Sequence, residues 1–219
     1  MLFYSGFTKL IREVWITVML RKIYVGFTSL MLMFMAFVAV AEEISAKQVI
    51  DDFQNQLIEV MKQGKTLGFQ GRYDKLDAVV RKSHDLPKIA RIVVGKQWEE
   101  LTPDQQTKLE AAVSQLSVSA YAYNFKDFSG ESFNFVSEEE TGRGGVVIHA
   151  ILKIPGEKDV KFDYMMKKKD DSWQIINIIA DGVSDLALKR SDYTSVLTRE
   201  GFDALIAKIN EKIESYAKQ

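Results

Sequence analysis

No cysteine occurs in the 219 residues. That absence removes disulfides, thiolate metal sites, thiol nucleophiles and lipid attachment to an N-terminal cysteine. The chain has only two histidines, His84 and His149, far apart in sequence, so metal ligation has little to work with and no cofactor site is expected. A surplus of one charge is also missing. The formal net charge is −1, and the one lysine run, Lys167 to Lys169, sits beside Asp170 and Asp171, which leaves no electrostatic footprint for nucleic acid. Only three prolines interrupt the chain, and 47% of it is hydrophobic, enough to bury one good core.

One uninterrupted apolar run stands at the N-terminus. Arg21 and Lys22 precede the uncharged stretch from Ile23 to Ala41, which closes on Ala39-Val40-Ala41 before Glu42 and Glu43. A basic start, an apolar middle and small residues at minus three and minus one are the pattern of a secretory signal peptide, so residues 1–41 are read as a cleaved leader and 42–219 as a single domain. An uncleaved membrane anchor is the alternative, because the run is also long enough to span a bilayer. Cleavage removes Lys9, Arg12, Arg21 and Lys22 against Glu13, which takes the formal charge from −1 to −4. A start at Met19 makes a leader of ordinary length, so residues 1–18 are read as upstream of a misassigned start.

From Ser45 the pattern becomes helical. Val49, Ile50, Phe53, Leu57, Val60 and Met61 fall on one face until Gly64. Asp85 is placed to cap a short helix with Pro87 in its first turn, ending near Gly95. Thr102 caps a longer one whose first position is Pro103. Leu109, Val113, Leu116 and Ala120 form the inner stripe of the longer helix, and Tyr121 and Tyr123 extend its apolar surface.

The period then changes to two. Phe133 and Phe135 alternate with Ser132 and Asn134, and VVIHAILKI (146–154), KFDYMMKKK (161–169) and WQIINIIA (173–180) follow, joined by short turns. Strands joined this closely are antiparallel neighbours. Setting Ile154 opposite Val160 pairs Leu152 with Phe162, Ala150 with Tyr164 and Ile148 with Met166, which makes one face wholly apolar. The other face carries His149, Lys153, Lys161, Asp163 and Lys167, with His149 and Asp163 diagonal to one another. Asp181-Gly182-Val183-Ser184 makes the turn into a helix that Ser184 caps. Helix then runs to the end apart from a break near Gly201, with Phe202, Leu205, Ile206, Ile209 and Ile213 as its last stripe. The expected fold class is α+β: a curved antiparallel sheet of about four strands, its apolar face wrapped by amphipathic helices.

DLPKIARIVVGKQW, LTPDQQ, Ala120-Tyr121-Ala122, Trp173 followed by Asp181 to Ser184, and Arg190 to Tyr193 with Gly201 and Leu205 together resemble the toluene-tolerance family, which includes the periplasmic phospholipid carriers of the Mla pathway. The likeness runs over about residues 45 to 215, and its wording is most similar to the branch associated with hopanoid biosynthesis. The phospholipid-carrier branch usually has Asp where Asn177 stands and Glu where Asp181 stands, so the lipid is left as a hopanoid or a phospholipid.

The resemblance implies a periplasmic lipid-binding shuttle between inner and outer membranes, loaded and unloaded by an inner-membrane transporter and an outer-membrane acceptor. It also implies a lipid slot between sheet and helices. The lining candidates are Phe133, Phe135, Ile148, Ala150, Leu152, Phe162, Tyr164 and Met166 from the sheet, with Val113, Leu116 and Tyr121 from the long helix. Gly182, Ser184, Lys189 and Arg190 are candidates for contact with a headgroup or a docking partner. Two other classes stay open. One is a non-catalytic interaction or scaffold protein. The other is a small isomerase or dehydratase using His84-Asp85 or His149 with Asp163, although His149 lies on the face away from the slot.

Overall fold

The computed structural model describes residues 44–218. The leader read at residues 1–41 lies outside the described residues. Helices α1 (Ala46–Lys62), α2 (Gly64–Ser83), α3 (Leu86–Val94) and α4 (Pro103–Asn124) come first, with a 3-10 turn at Gly95–Glu100 between α3 and α4. Strands β1 (Ser132–Thr141), β2 (Gly145–Lys153), β3 (Val160–Lys169), β4 (Ser172–Ala180) and the short β5 (Val183–Ser184) follow, and α5 (Asp185–Glu200) and α6 (Phe202–Ala217) close the chain. The α+β architecture is the expected one. The strands form a single antiparallel meander in the order β1-β2-β3-β4-β5.

Local chemistry explains most boundaries. The Asp85 carboxylate accepts the Lys88 amide at 3.3 Å and starts α3. At α4, Thr102 Oγ1 accepts from Gln105 N at 3.3 Å while Gln105 Oε1 accepts from Thr102 N at 3.0 Å, a reciprocal capping box ahead of Pro103. The sheet has five strands rather than four because Asp181 and Gly182, at φ 47° and 83°, form a two-residue hairpin turn. That turn sets Val183 opposite Ala180 and Ser184 opposite Ile179.

The β2–β3 register differs from the expected one by two residues. Leu152 pairs with Val160, Ala150 with Phe162, Ile148 with Tyr164 and Val146 with Met166. Ile154 leaves the ladder because its carbonyl closes the Pro155-Gly156 turn, accepting the Glu157 amide at 3.1 Å. His149 consequently lies directly opposite Asp163, not diagonal to it. A shift of two keeps every side chain on its face. Val146, Ile148, Ala150, Leu152, Tyr164 and Met166 are all buried on one side, while Lys153 and Lys161 on the other are exposed.

Helix α2 is the element that the sequence reading did not place. It contains Gly64, Gly68 and Gly71, and Gly68 at φ 62° breaks its helical geometry. Gly64 is required by contact, since a Cβ there would stand 1.8 Å from the Lys126 carbonyl oxygen. Arg72, buried, donates to the carbonyls of Ala122 at 2.6 Å and Gly64 at 2.9 Å, which fastens α2 to the C-terminal turns of α4.

Two buried apolar clusters result. The first joins α1 and α2 to the sheet through Ile50, Phe53, Leu57, Leu76, Val80, Ile148, Tyr164 and Ile175. The second joins α3, α4, α5 and α6 through Val93, Trp98, Leu109, Leu116, Tyr193, Leu205 and Ile209. Helix α4 serves both, with Val118 and Ala122 in the first cluster and Leu109, Ala112, Val113 and Leu116 in the second.

Candidate functional site

A cavity of about 590 Å³ draws its walls from both clusters. Phe53 and Leu57 of α1, Val113, Ser117, Ala120 and Tyr121 of α4, Leu152 of β2, Phe162 and Tyr164 of β3, and Ile175 and Ile178 of β4 line it. Phe53, Leu57, Tyr164 and Ile175 are almost wholly buried, so this part of the wall is fixed by packing on its outer side. Charged side chains also border the cavity. Asp127, Glu157 and Asp185 among them are exposed, and Lys189 is paired with Asp185. An apolar interior with charges at its solvent-facing side suits a ligand with an apolar body and a polar end.

The electrostatics inside favour neutral groups. His84 lines the cavity and is buried, and burial, with Lys189 adding to it against the Val80 carbonyl, pushes its pKa down to about 3. The imidazole is therefore uncharged at neutral pH. Burial likewise raises the Tyr121 phenol well above its ordinary value, with Tyr164 and Asp185 adding to the effect. It also raises Tyr164, opposed by the hydrogen bond from Gln54.

The sequence candidates divide by position. Leu152, Phe162, Tyr164, Val113 and Tyr121 lie on the cavity wall. Ile148, Ala150 and Met166 share that sheet face but are packed into the first cluster and do not line the cavity. Phe133 packs at the edge of the same cluster. Phe135 is 43% exposed on the edge strand, with Lys47 Nζ 4.9 Å from its ring centre. Leu116 faces a separate hollow between α4, α5 and α6, of about 440 Å³.

At the turn into α5, Asp181 and Gly182 both hold positive φ. The Ser184 hydroxyl accepts from Ala187 N at 3.1 Å and donates to Asn177 Oδ1 at 3.0 Å, tying the helix start to β4. Lys189 reaches the cavity wall. Arg190 points elsewhere, its guanidinium 3.2 Å from where a Cβ on Gly95 would sit, in a groove with Pro87, Lys88 and Arg91.

Residues 51–211 match the family described as "MlaC protein". The chain belongs to the MlaC family. An intermembrane phospholipid transport system binding protein MlaC from Haemophilus influenzae is 23% identical over 123 residues, 54% of this chain. The match spans 58% of that relative's length. A phospholipid-binding protein from Ralstonia solanacearum, solved in complex with a phospholipid, has the same fold at a TM-score of 0.68 and 19% identity, covering 81% of this chain and 99% of that one.

Within this MlaC-family fold the wall residues that the sequence reading missed include Phe53, Leu57, His84, Ala120, Ile175 and Ile178. For Phe53 and Leu57 the sequence shows only an amphipathic stripe, and periodicity cannot separate a stripe residue facing a neighbour from one facing a void. His84 carried one signal, its place just before the Asp85 cap. Its bond to Tyr121 spans 37 residues.

The two histidine–carboxylate arrangements differ in place. His84 bonds to Ser83, Val80 and Tyr121, whereas Asp85 caps α3 and pairs with Lys169 at 3.3 Å. His149 Nδ1 lies 2.7 Å from Asp163 Oδ1 on the outer sheet face, away from the cavity. Among the described residues, no group of three or more histidine or carboxylate side chains could hold a metal ion. Replacing His149 by alanine is expected to cost no more than about 1 kcal/mol, the worth of a partly exposed pair. Bound lipid should stay unchanged. Urea unfolding and organic extraction check both, and a folded His149→Ala protein that lost its biological activity with its lipid intact would reopen the enzyme reading.

Proposed function

We propose that this protein is a lipid carrier which holds the apolar part of a membrane lipid in the cavity between its sheet and helices, and shuttles it between the inner and outer membranes across the periplasm. The observation that carries the reading is the cavity itself: about 590 Å³ of mainly apolar wall with charge on its exposed side, in a MlaC-family fold. Its volume lies within the ~300–1,000 Å³ of ordinary ligand sites. Each methylene kept from water is worth about 0.8 kcal/mol, so a lipid does not cross an aqueous compartment without such shelter.

The names of the Haemophilus and Ralstonia proteins, transport-system binding protein and phospholipid-binding protein, support the ligand class. The cargo is a phospholipid or a hopanoid. The leader supports export, with the mature chain beginning at Glu42, and among the described residues no helix is long and apolar enough to cross a membrane. Loading and unloading then fall to an inner-membrane transporter and an outer-membrane acceptor. The protein's part is binding and release, with no cofactor and no chemical step.

Mass spectrometry of organic extracts from the purified mature protein tests this. The expected result is one lipid class at near-stoichiometric amount, its phosphorus content separating phospholipid from hopanoid. Protein that is purified free of lipid and takes up none from vesicles would overturn the proposal.

A further inference from the structure

A buried hydroxyl costs free energy unless it is hydrogen-bonded, so a phenol on an apolar wall has to have partners for the bonds it can make. Of the three phenols that line the cavity, Tyr121 and Tyr164 pack in the first cluster, and the buried His84 imidazole stands beside Tyr121. Their bonds can be counted. Ser83 Oγ gives its hydrogen to the Val79 carbonyl at 2.8 Å, so toward His84 Nδ1, 2.9 Å away, it is an acceptor. Val80 O, at 3.2 Å from the same nitrogen, is also an acceptor. Nδ1 therefore carries the proton and Nε2 is bare.

The consequence reaches Tyr121. Its hydroxyl lies 2.9 Å from Nε2 and must donate there, which spends its hydrogen and leaves an oxygen lone pair. Tyr164 is the complement. It receives the Gln54 Nε2 hydrogen at 3.2 Å, and its own hydrogen has no acceptor among the described residues. Both rings are locked. Phe53 sets its edge against His84 and Tyr121 at 5.1 and 5.2 Å between centres, and Phe162 stacks on Tyr164 at 5.8 Å.

We infer that the inner wall of the cavity recognises a hydroxyl group borne on the apolar body of the ligand, Tyr164 donating to it and Tyr121 accepting from it. An alcohol matches that pair on a single oxygen, taking one hydrogen bond and giving one. A carbonyl or ether oxygen uses Tyr164 alone, and a plain hydrocarbon leaves both phenols short of a partner, the situation in which polar sites discriminate. Tyr121 and Tyr164 line the same cavity. The inference rests on the carrier reading and narrows its cargo to lipids hydroxylated away from the headgroup.

The test uses delipidated full-length mature protein, a fluorescent fatty acid as displaced probe, stearate, and a series of mono-hydroxystearates whose hydroxyl steps along the chain. At one position of the hydroxyl, binding is expected to be roughly five- to ten-fold tighter than for stearate, the worth of a net hydrogen bond or two. Tyr121→Phe and Tyr164→Phe are each expected to lower the ratio of hydroxystearate to stearate affinity, a ratio that general loss of structure, which weakens both acids alike, does not change. Wild-type protein that binds stearate but prefers no hydroxystearate would sink this inference and leave the carrier standing. A preference that survives in both variants would do the same. Failure to bind any of the acids, in a protein that also yields no lipid on extraction, would remove both readings.

Discussion

Tryptophan in place of Ala120 is expected to leave the chain folded and to empty it of most of its lipid. Ala120 lies on the cavity wall and is only partly buried, so the indole grows into space held by ligand rather than into packed side chains. The stability of the lipid-free protein should change by no more than about 1 kcal/mol, as for a substitution without overpacking. The same replacement at Ala150 has the opposite signature. Ala150 is 3% exposed, sits between Phe135 and Phe162 in the sheet register, and belongs to the packed cluster. There an indole should cost about 1–3 kcal/mol or more.

Urea unfolding of delipidated samples separates the two variants, and extraction of samples as purified gives their lipid content. Delipidation matters because a ligand bound only to the folded state raises apparent stability. A folded Ala120→Trp protein with a full complement of lipid would exclude this cavity as the binding site.

Acid is expected to weaken the fold through His84. The folded pKa of about 3 lies below the unfolded value of about 6.5, so above that value both states are unprotonated and His84 adds no slope. Between the two, the unfolded chain binds a proton that the folded chain refuses. Stability should therefore fall by about 1.4 kcal/mol per pH unit as pH drops below about 6.5, reaching a loss of about 2 kcal/mol near pH 5, and His84 should add no further slope below about pH 3. His84→Gln cannot take up this proton. Its stability at pH 8 should lie below that of the wild type, since the bond network to Tyr121 is disturbed, and the difference should shrink by about 2 kcal/mol by pH 5. Urea midpoints for both proteins across that range decide it. Parallel curves would mean that His84 is not the buried neutral group described here.

The elements written most plainly in the chain were those with a local cause. The capping box at Thr102 and Gln105, the Asp85 cap, the period-two strands and the Asp181-Gly182 turn each depend on residues a few positions apart. The β2–β3 register was displaced by two residues, and the inner face was still assigned correctly because side-chain direction repeats every second residue. Helix α2 was harder. Its three glycines weaken the local signal, and what holds it is the Arg72 clamp onto Ala122 and Gly64, an arrangement completed across 50 residues.

By itself, then, the sequence determined the α+β class, the inner and outer faces of the sheet, the helix caps and, through a resemblance spread over most of the chain, the family. The tertiary structure alone decided which apolar residues enclose space and which fill it. Phe162 and Tyr164 face the cavity while Ile148, Ala150 and Met166 on the same sheet face are covered by helices. It also separated neighbouring residues, sending Lys189 to the cavity and Arg190 to the groove beside Gly95, and it brought His84 against Tyr121. Periodicity encodes the direction of a side chain relative to its own backbone. A void is a property of several elements together, set by how far apart their backbones stand once packed.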